Sequence, residues 1–529
     1  MAQTPETLFE LAQNLEDEGN LAEAAEAYRR ALSLAPMTGE AHHNLARLLR
    51  RLEQTQESLR HARIAADLLP ENPAARNSLG QSLEQAGLPD EAIGSYREAL
   101  RGEPSYIPAA INIGRLLETL DRPDEAAAIL APLQKANPSN GALAINLANA
   151  YLGLGRPRDA LTLLDGAIQS AAESALALNS LGTAHYILRN WPDAASAFRQ
   201  AITLDPEFAQ AHENLAQTLF QTGNFSDGWP QYEWRWKNPA NALTKISFPA
   251  PEWDGAPLSG RTLLLHGEQG FGDTIQFMRL AEAIDKQGGK VVLACQQELV
   301  GLFQGACHLD GVTTLDGELP EHQLHAPLLN LPRILGLSGP WLPKHMPYLS
   351  ATAHPVLADL TGQVESLRIG IAWSGRKRHH LDAFRNRSCR AQDFLRLADS
   401  PGVSMFSLQT GKPSEQLGEH RNSGELTDLS RYMTDFAESA ALVQGMDLIV
   451  TVDTALAHLA GALGKPCCIL LAYTSDWRWN EIDGRNPWYP SVISYRQPTP
   501  GNWEEAFAGL MSALKNGLRF NQDSHFKIT

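Results

Sequence analysis

The sequence predicts an α + α/β protein: an all-α array of paired helices followed by an α/β unit of two lobes. Two observations carry this expectation. Prolines at Pro36, Pro70, Pro104 and Pro138 recur every 34 residues, and Pro206 falls two periods later, with Ala172 in the skipped slot. From Arg261 the pattern changes. Short apolar runs such as TLLLH, KVVLAC, LRIGIAWSG and DLIVTVD then alternate with helical stretches, as expected of parallel βαβ units.

Residues 1–238 form the repeat region. Small residues keep the proline register at Ala12, Ala46, Gly80, Gly114, Ala148, Gly182 and Ala216, and again at Ala24, Ser58, Ala92, Ala126, Ala160, Ala194 and Gly228. Glycine marks the turn between helices at Gly19, Gly87, Gly155 and Gly223. Small side chains at fixed points let two antiparallel helices approach closely, and the proline ends the second helix. A period of about 34 residues with this pattern resembles the tetratricopeptide repeat, in about seven units. One helix pair cannot bury its apolar face, so stacked pairs build a superhelix with a concave groove. The resemblance implies that the groove holds a polypeptide. Two positions before the small residues stand Asn44, Ser78, Asn112, Asn146, Ser180 and Asn214. This row resembles the asparagine ladder of the eukaryotic O-linked N-acetylglucosamine transferase. An amide can pair with both donor and acceptor of an extended peptide. A row of polar residues on a solvated helix face is the plainer reading.

The last unit, GNFSDGWPQYEWRW, carries Trp229, Tyr232, Trp234 and Trp236, and so much aromatic area near a domain edge is expected to pack on the next domain. An aromatic sugar platform is the rival. Residues 239–260, rich in proline and glycine, read as a linker or a structured lead-in strand.

Chain-wide properties narrow the function. The 529 residues carry a formal charge of −16, which argues against a nucleic-acid partner. The five cysteines, Cys295, Cys307, Cys389, Cys467 and Cys468, have no metal-ligand spacing, which suits a reducing cytosol. No signal peptide is expected from MAQTPETLFELAQNLEDEG, and no apolar run reaches the ~18 residues of a membrane span. A cytoplasmic location follows as an expectation.

In the second half, the stretch TLLL–HGEQGFGDTIQFMRL reads as strand, glycine loop and helix, a turn that offers backbone N–H groups to an anion. The stretch before HLDGVTTLD joins the same sheet. After residue 365 come LRIGIAWSG, VSMFSLQ, DLIVTVD, KPCCILLA and VISYR. The motifs GEQGFGDTIQFMR, DLIVTVDTALAHLAGALGKP, SDWRW and NPWYP together resemble glycosyltransferases of the GT-B fold, closest to the heptosyltransferase-like group. That implies two Rossmann-like lobes, here 261–350 and 366–500, the second binding a nucleotide-sugar. Residues 501–529 supply a helix expected to pack back on the first lobe, and a tail. Fusion to tetratricopeptide repeats resembles the bacterial flagellin glycosyltransferases. There the repeats hold the acceptor protein and the GT-B half transfers a nonulosonic acid from a CMP-activated donor.

Sugar transfer needs a base for the acceptor hydroxyl and stabilisation of a departing phosphate. Asp273 matches the heptosyltransferase base; it can equally be a helix cap, and His266 or Glu268 could serve instead. Gln269 and Gln276 are candidates to hold hydroxyls. Gly272 belongs to the same turn. In the second lobe Asp453, Thr454, Ala455 and His458 match the motif that holds the donor phosphate at a helix N-terminus; the family often has Gly where this chain has Ala455. The basic segment AWSGRKRHHLDAFRNRSCR follows a strand. Trp373, Ser374 and Gly375 are placed at the cleft rim, Arg385 and Arg387 as candidates to neutralise the leaving group, and Lys377, Arg378, His379 and His380 on a closing loop. Gln409, Lys412, Asp476, Trp477 and Arg478 follow other strands, where ligands of parallel sheets collect. Trp477 can equally be packing. No metal site and no DxD pair is evident, so metal-independent, inverting transfer is expected, with the nucleotide-sugar as co-substrate and no cofactor.

Three functions follow from this reading. The first is a protein O-glycosyltransferase with flagellin as acceptor. The second is a repeat scaffold whose nucleotide-sugar domain has lost turnover, and the third a lipopolysaccharide or capsule transferase. The presence of Asp273, Asp453, His458 and the arginines speaks against the second. The length of the repeat array speaks against the third.

Overall fold

The structure is a computed structural model. It describes residues 4–169, 174–241, 243, 245–306, 308–343, 346–360, 366–375, 387–400, 402–421, 426–481, 485–515, 519–520 and 526–527. The chain divides into two compact units, Met1–Ala184 and His185–Thr529.

The first unit is built from α1 (Pro5–Asp17), α2 (Leu21–Leu34), α3 (Gly39–Arg51), α4 (Thr55–Leu68), α5 (Pro73–Gln85), α6 (Pro89–Gly102), α7 (Ile107–Thr119), α8 (Pro123–Ala136), α9 (Gly141–Gly153) and α10 (Pro157–Gln169). The division falls within α11 (Ala175–Ile187). The small residues act as the sequence requires. A Cβ added at Gly80 would lie 2.5 Å from the Tyr96 ring, and one at Gly114 would lie 2.7 Å from Leu130. The inter-helix turns use a left-handed residue every period. Gly19, Gly87 and Gly155 have φ of 83°, 75° and 68°, and Glu53 and Asp121 take the same conformation at 59° and 57°. Odd-numbered helices pack on one another and form one face. Even-numbered helices carry a recurring pair on the other: Arg29–Glu57, Arg63–Glu91 and Arg97–Glu125.

The second unit begins with the last repeats: the end of α11, then α12 (Trp191–Leu204), α13 (Ala209–Gln221) and α14 (Phe225–Tyr232). Two parallel sheets follow. Strands β1 (Thr262–His266), β2 (Lys290–Cys295), β3 (Gly311–Thr314) and β4 (Leu324–Pro327) lie in the order β3-β2-β1-β4. Strands β5 (Leu367–Ala372), β6 (Val403–Ser407), β7 (Leu426–Asp428), β8 (Leu448–Val452), β9 (Cys467–Leu471) and β10 (Val492–Arg496) lie in the order β10-β9-β8-β5-β6-β7. β8 and β9 are buried throughout, which explains their unbroken apolar sequence and the adjacent Cys467 and Cys468.

Some expectations are corrected. After β1 comes α15 (Phe271–Phe277); the segment before HLDGVTTLD is a helix, α16 (Gln297–Phe303), and the strand is Gly311–Thr314 itself, while α17 (Phe436–Gln444) precedes β8. The edge strands β4 and β7 were not foreseen, because LHAP and LTD are too short to show a period. The helix Trp503–Lys515 packs on β9 and β10 of the second sheet, not on the first lobe. Only a short connection separates it from β10, and its apolar face meets the second core, with Phe507 edge-on to Phe394 at 5.2 Å. The aromatic residues of the last repeat do pack on the α/β core. Phe220, Phe225, Trp229 and Tyr232 are buried with Phe277, Trp477 and Trp488. Trp234 instead stacks on His212 at 3.9 Å. Among the described residues no helix is long and apolar enough to cross a membrane.

Candidate active site

The second sheet reverses its winding between β5 and β8. From β5 the chain proceeds to β6 and β7 on one side, and from β8 to β9 and β10 on the other. In such sheets the crevice outside the carboxyl ends of the two strands at the switch is where ligands bind. Gly375, beyond β5, and Asp453 and Thr454, beyond β8, meet there. A Cβ at Gly375 would lie 3.2 Å from the Asp453 carbonyl oxygen and 3.4 Å from both Arg387 Nε and Thr454 Cγ2. Arg387 Nη1 is 3.7 Å from Asp453 Oδ2. Thr454 is the N-cap of a buried helix, here α18 (Ala455–Ala462), but its side chain does not cap it. Its hydroxyl is 3.0 Å from that of Thr451. The Ala457 N–H donates back to the Thr454 carbonyl at 3.1 Å, and the first N–H groups of α18, those of Ala455 and Leu456, have no cap from the Thr454 side chain and start the helix beside a guanidinium.

Gln409 positions this crevice from behind. Its Oε1 accepts from the N–H groups of Trp373 at 3.0 Å and Ser374 at 2.8 Å, fixing the exit of β5. Trp373 is fully buried in the second core, and Ser374 donates to the Ser388 hydroxyl at 3.2 Å. Lys412 is exposed. Arg385, Lys377, Arg378, His379 and His380 lie outside the described residues.

The glycine turn of the first lobe differs from expectation. Its helix, α15 (Phe271–Phe277), has seven residues. The Gly267 N–H donates to the Ala294 carbonyl at 2.9 Å, and the Gly270 N–H donates to Asp273 Oδ2 at 3.1 Å. The amides of Gly267 and Gly270 therefore close on the chain itself. Asp273 caps α15 and also accepts from Arg478 Nη2 at 2.9 Å. Arg478 further donates to Gln276 Oε1 at 2.8 Å and Asp476 Oδ1 at 3.0 Å. Burial works against its cation, but the Asp476 and Asp273 carboxylates more than offset that and raise its pKa. Asp273, Gln276, Asp476 and Arg478 therefore tie the first lobe to the second.

Gly272 and His458 complete this seam. A Cβ at Gly272 would lie 2.6 Å from His458 Cδ2, so close helix packing accounts for glycine here without a ligand. His458 is nearly buried, with Nδ1 3.0 Å from the Tyr489 hydroxyl and Trp479 against its ring; burial holds it neutral. Trp477 is a packing residue, enclosed by Phe220, Phe225, Trp229 and Trp488. Arg279 adds a further tie, donating to the Trp488 carbonyl at 2.7 Å and the Tyr348 hydroxyl at 3.0 Å. The motif NPWYP contains Tyr489 and GEQGFGDTIQFMR ends on Arg279, but neither residue was given a role from the sequence.

At the carboxyl end of the first sheet lies a cavity of about 210 Å³ lined by Trp236, His266, Glu268, Gln269, Gln296 and Leu315, among others. Burial raises the Glu268 carboxyl to about 7 against the pull of Arg235. Arg235 Nη2 grips both carboxylate oxygens, at 2.8 and 3.0 Å. His266 is held neutral by burial beside His325, its pKa near 3.

In the repeats the asparagine row is partly turned inward. Asn44 donates to the Tyr28 hydroxyl at 3.2 Å, Asn112 to Asn77 Oδ1 at 2.9 Å and Asn146 to the Ala142 carbonyl at 2.8 Å. Ser78, Ser180 and Asn214 lie deeper, each 3% exposed, and interrupt the row.

Residues 431–502, which take in β8, α18, β9 and β10, match the family model of glycosyltransferase family 9 (heptosyltransferase). Residues 5–37, 43–107, 83–139, 122–181 and 180–231 match tetratricopeptide-repeat models. The chain is 27% identical over 422 residues to Protein FlbA of Caulobacter vibrioides, covering 66% of this chain and 68% of that protein. Solved structures with similar repeats include a tetratricopeptide repeat protein from Parabacteroides merdae, 16% identical over 43% of this chain and 91% of that one, with a TM-score of 0.39. Another is PilW, a type IV pilus biogenesis factor, 20% identical over 41% of this chain and 100% of that one, with a TM-score of 0.36. The chain joins tetratricopeptide repeats to a glycosyltransferase family 9 domain.

Proposed function

We propose that the protein transfers a sugar from a nucleotide-activated donor to Ser or Thr of an acceptor protein held by the repeats, in the cytoplasm, with flagellin as that acceptor and a CMP-linked nonulosonic acid as the donor. The observation that carries the donor half is the uncapped start of α18 beside Arg387 at the switch point of the second sheet. Helix N–H groups and a guanidinium suit a departing phosphate. Transfer is then of the GT-B type, inverting and independent of metal, with charge on the leaving group met by Arg387 and α18. Asp273 is held by Arg478 and the Gly270 amide. As the base it would have to take the hydroxyl proton while keeping these partners. The protein-acceptor half is supported by the repeats, whose array is longer than a small sugar requires.

The test is intact-mass analysis of flagellin co-expressed with this chain and a sugar-supply pathway. The reading expects a discrete mass gain that Arg387→Gln abolishes while the protein stays folded. Unmodified flagellin together with a newly labelled glycolipid would move the acceptor to a carbohydrate.

A further inference from the structure

The last repeats touch the segment SDWRWN, residues 475–480, which follows β9. Just before it, the Thr474 hydroxyl donates to the Ile187 carbonyl at 2.8 Å. Gln221, the last residue of α13, spans the join. Its Nε2 donates to the Ser475 carbonyl at 2.8 Å and to the Tyr186 hydroxyl at 3.0 Å. Its Oε1 accepts from Asn480 Nδ2 at 2.7 Å, and its backbone carbonyl accepts from the same amide at 3.1 Å. One side chain of the repeats therefore holds both ends of the segment.

Between those ends stands Arg478. It donates to Asp273 Oδ1 at 2.9 Å and to Gln276 Oε1 at 2.8 Å, and Asp476 Oδ1 accepts from it at 3.0 Å. Trp477 anchors the segment by packing against Phe220, Phe225 and Trp229. Apolar packing is non-directional, so the direction in which Arg478 points is left to the hydrogen bonds at residues 475 and 480. Arg235 and Tyr232 hold the other end of the glycine turn, at Glu268 and Gln269. The side chain of Gln221 bonds to Tyr186, Ser475 and Asn480, so its influence on Asp273 runs through Arg478.

We infer that Gln221 is a positioning residue for the transfer reaction: from the last repeats it fixes the segment that carries Arg478, and through Arg478 it sets the carboxylate of Asp273. The inference rests on the transferase reading and deepens it, because it makes the last repeats part of the support of the site. A carboxylate gripped by a guanidinium moves when the guanidinium moves, and a misplacement of about 1 Å costs up to about a hundredfold in rate.

The first stage of the test needs no donor sugar. Hydrogen exchange of the full-length chain, read by mass spectrometry, compares the wild type with Gln221→Met, which keeps most of the side chain's bulk and removes its hydrogen bonds. The Gly270 N–H, which donates to Asp273 Oδ2 at 3.1 Å, is the reporter. The inference expects exchange at residues 270–274 to rise about tenfold, with the fold intact by circular dichroism. Gln200→Met, at an exposed position of α12, should leave those amides unchanged. In an Arg478→Lys background the change at Gln221 should add less than about twofold. At the second stage, the fraction of co-expressed flagellin that gains mass should fall about tenfold or more in Gln221→Met, and no further in the double variant.

Faster exchange confined to α13 and residues 475–480 would overturn the inference. So would a Gln221→Met effect of equal size with and without Arg478. Faster exchange at residues 270–274, with flagellin unmodified even by the wild type, would support the positioning and overturn the flagellin reading instead.

Discussion

At the scale of single residues, glycine and histidine carry the strongest expectations. Gly272 lies where any side chain meets His458. Gly272→Ala should cost about 1–3 kcal/mol through overpacking, read as a lower urea midpoint at unchanged slope. The His42–His61 pair in the first unit makes a different prediction. The two Nδ1 atoms are 2.7 Å apart, so one donates to the other. Burial first, then His42 and Arg60, lower the His61 pKa to about 4, with Glu57 opposing. A folded-state value below the unfolded one means the unfolded chain binds more protons in between. The pair's contribution is then complete above about pH 6.5 and lost as pH falls towards 4. A loss of about 2–3 kcal/mol between pH 7 and 4.5 is expected. In His61→Gln the same denaturation series should show a clearly smaller decline. These residues differ in how far the sequence announces them. Small residues repeat in register, so each period confirms the last. Arg478 meets Asp273 from 205 positions away, and no local pattern encodes such a pair. Asp273 stood out in the sequence because it matches the heptosyltransferase base at a helix start, with a helix cap as the alternative, and its partner Arg478 became apparent only in the fold.

At the scale of elements, the turns of the repeats show where local sequence and required conformation part. Four periods supply glycine for the left-handed turn, whereas Glu53, Asp121 and Arg189 adopt it with φ of 59°, 57° and 61°. An L-residue pays roughly 1–2 kcal/mol there, part of which glycine's greater unfolded-state freedom offsets. Asp121→Gly should therefore stabilise the first unit by up to about 1 kcal/mol, visible as a raised melting temperature. The turn register was legible because four glycines mark it. The edge strands LHAP and LTD were not, since four and three residues cannot display alternation. The helix Trp503–Lys515 shows a further limit: its amphipathic face was plain, but the surface it covers depends on which sheet edge the preceding strand reaches.

At the scale of the molecule, the transferase half extends into the repeats. Phe220, Phe225, Trp229 and Tyr232 belong to the same core as Trp477 and Trp488, and the Arg235–Glu268 pair joins the last repeat to the first sheet. A fragment of residues 185–529 should fold cooperatively and release nucleotide from donor sugar. A fragment starting at residue 239 should be insoluble, because it leaves that core open. Soluble, cooperatively melting 239–529 would refute this division. The aromatic content of the last repeat foretold the packing, but a domain boundary drawn at the end of the repeats missed that the core runs across it.

The central claim is that the crevice between β5 and β8 receives a nucleotide phosphate at α18 and Arg387. Calorimetric titration of the full-length chain with CMP, UDP, ADP and GDP tests it most directly. One nucleotide should bind, and Arg387→Gln should weaken it about tenfold or more while the melting temperature holds. No binding by any of the four, or an affinity untouched by Arg387→Gln, would contradict the account.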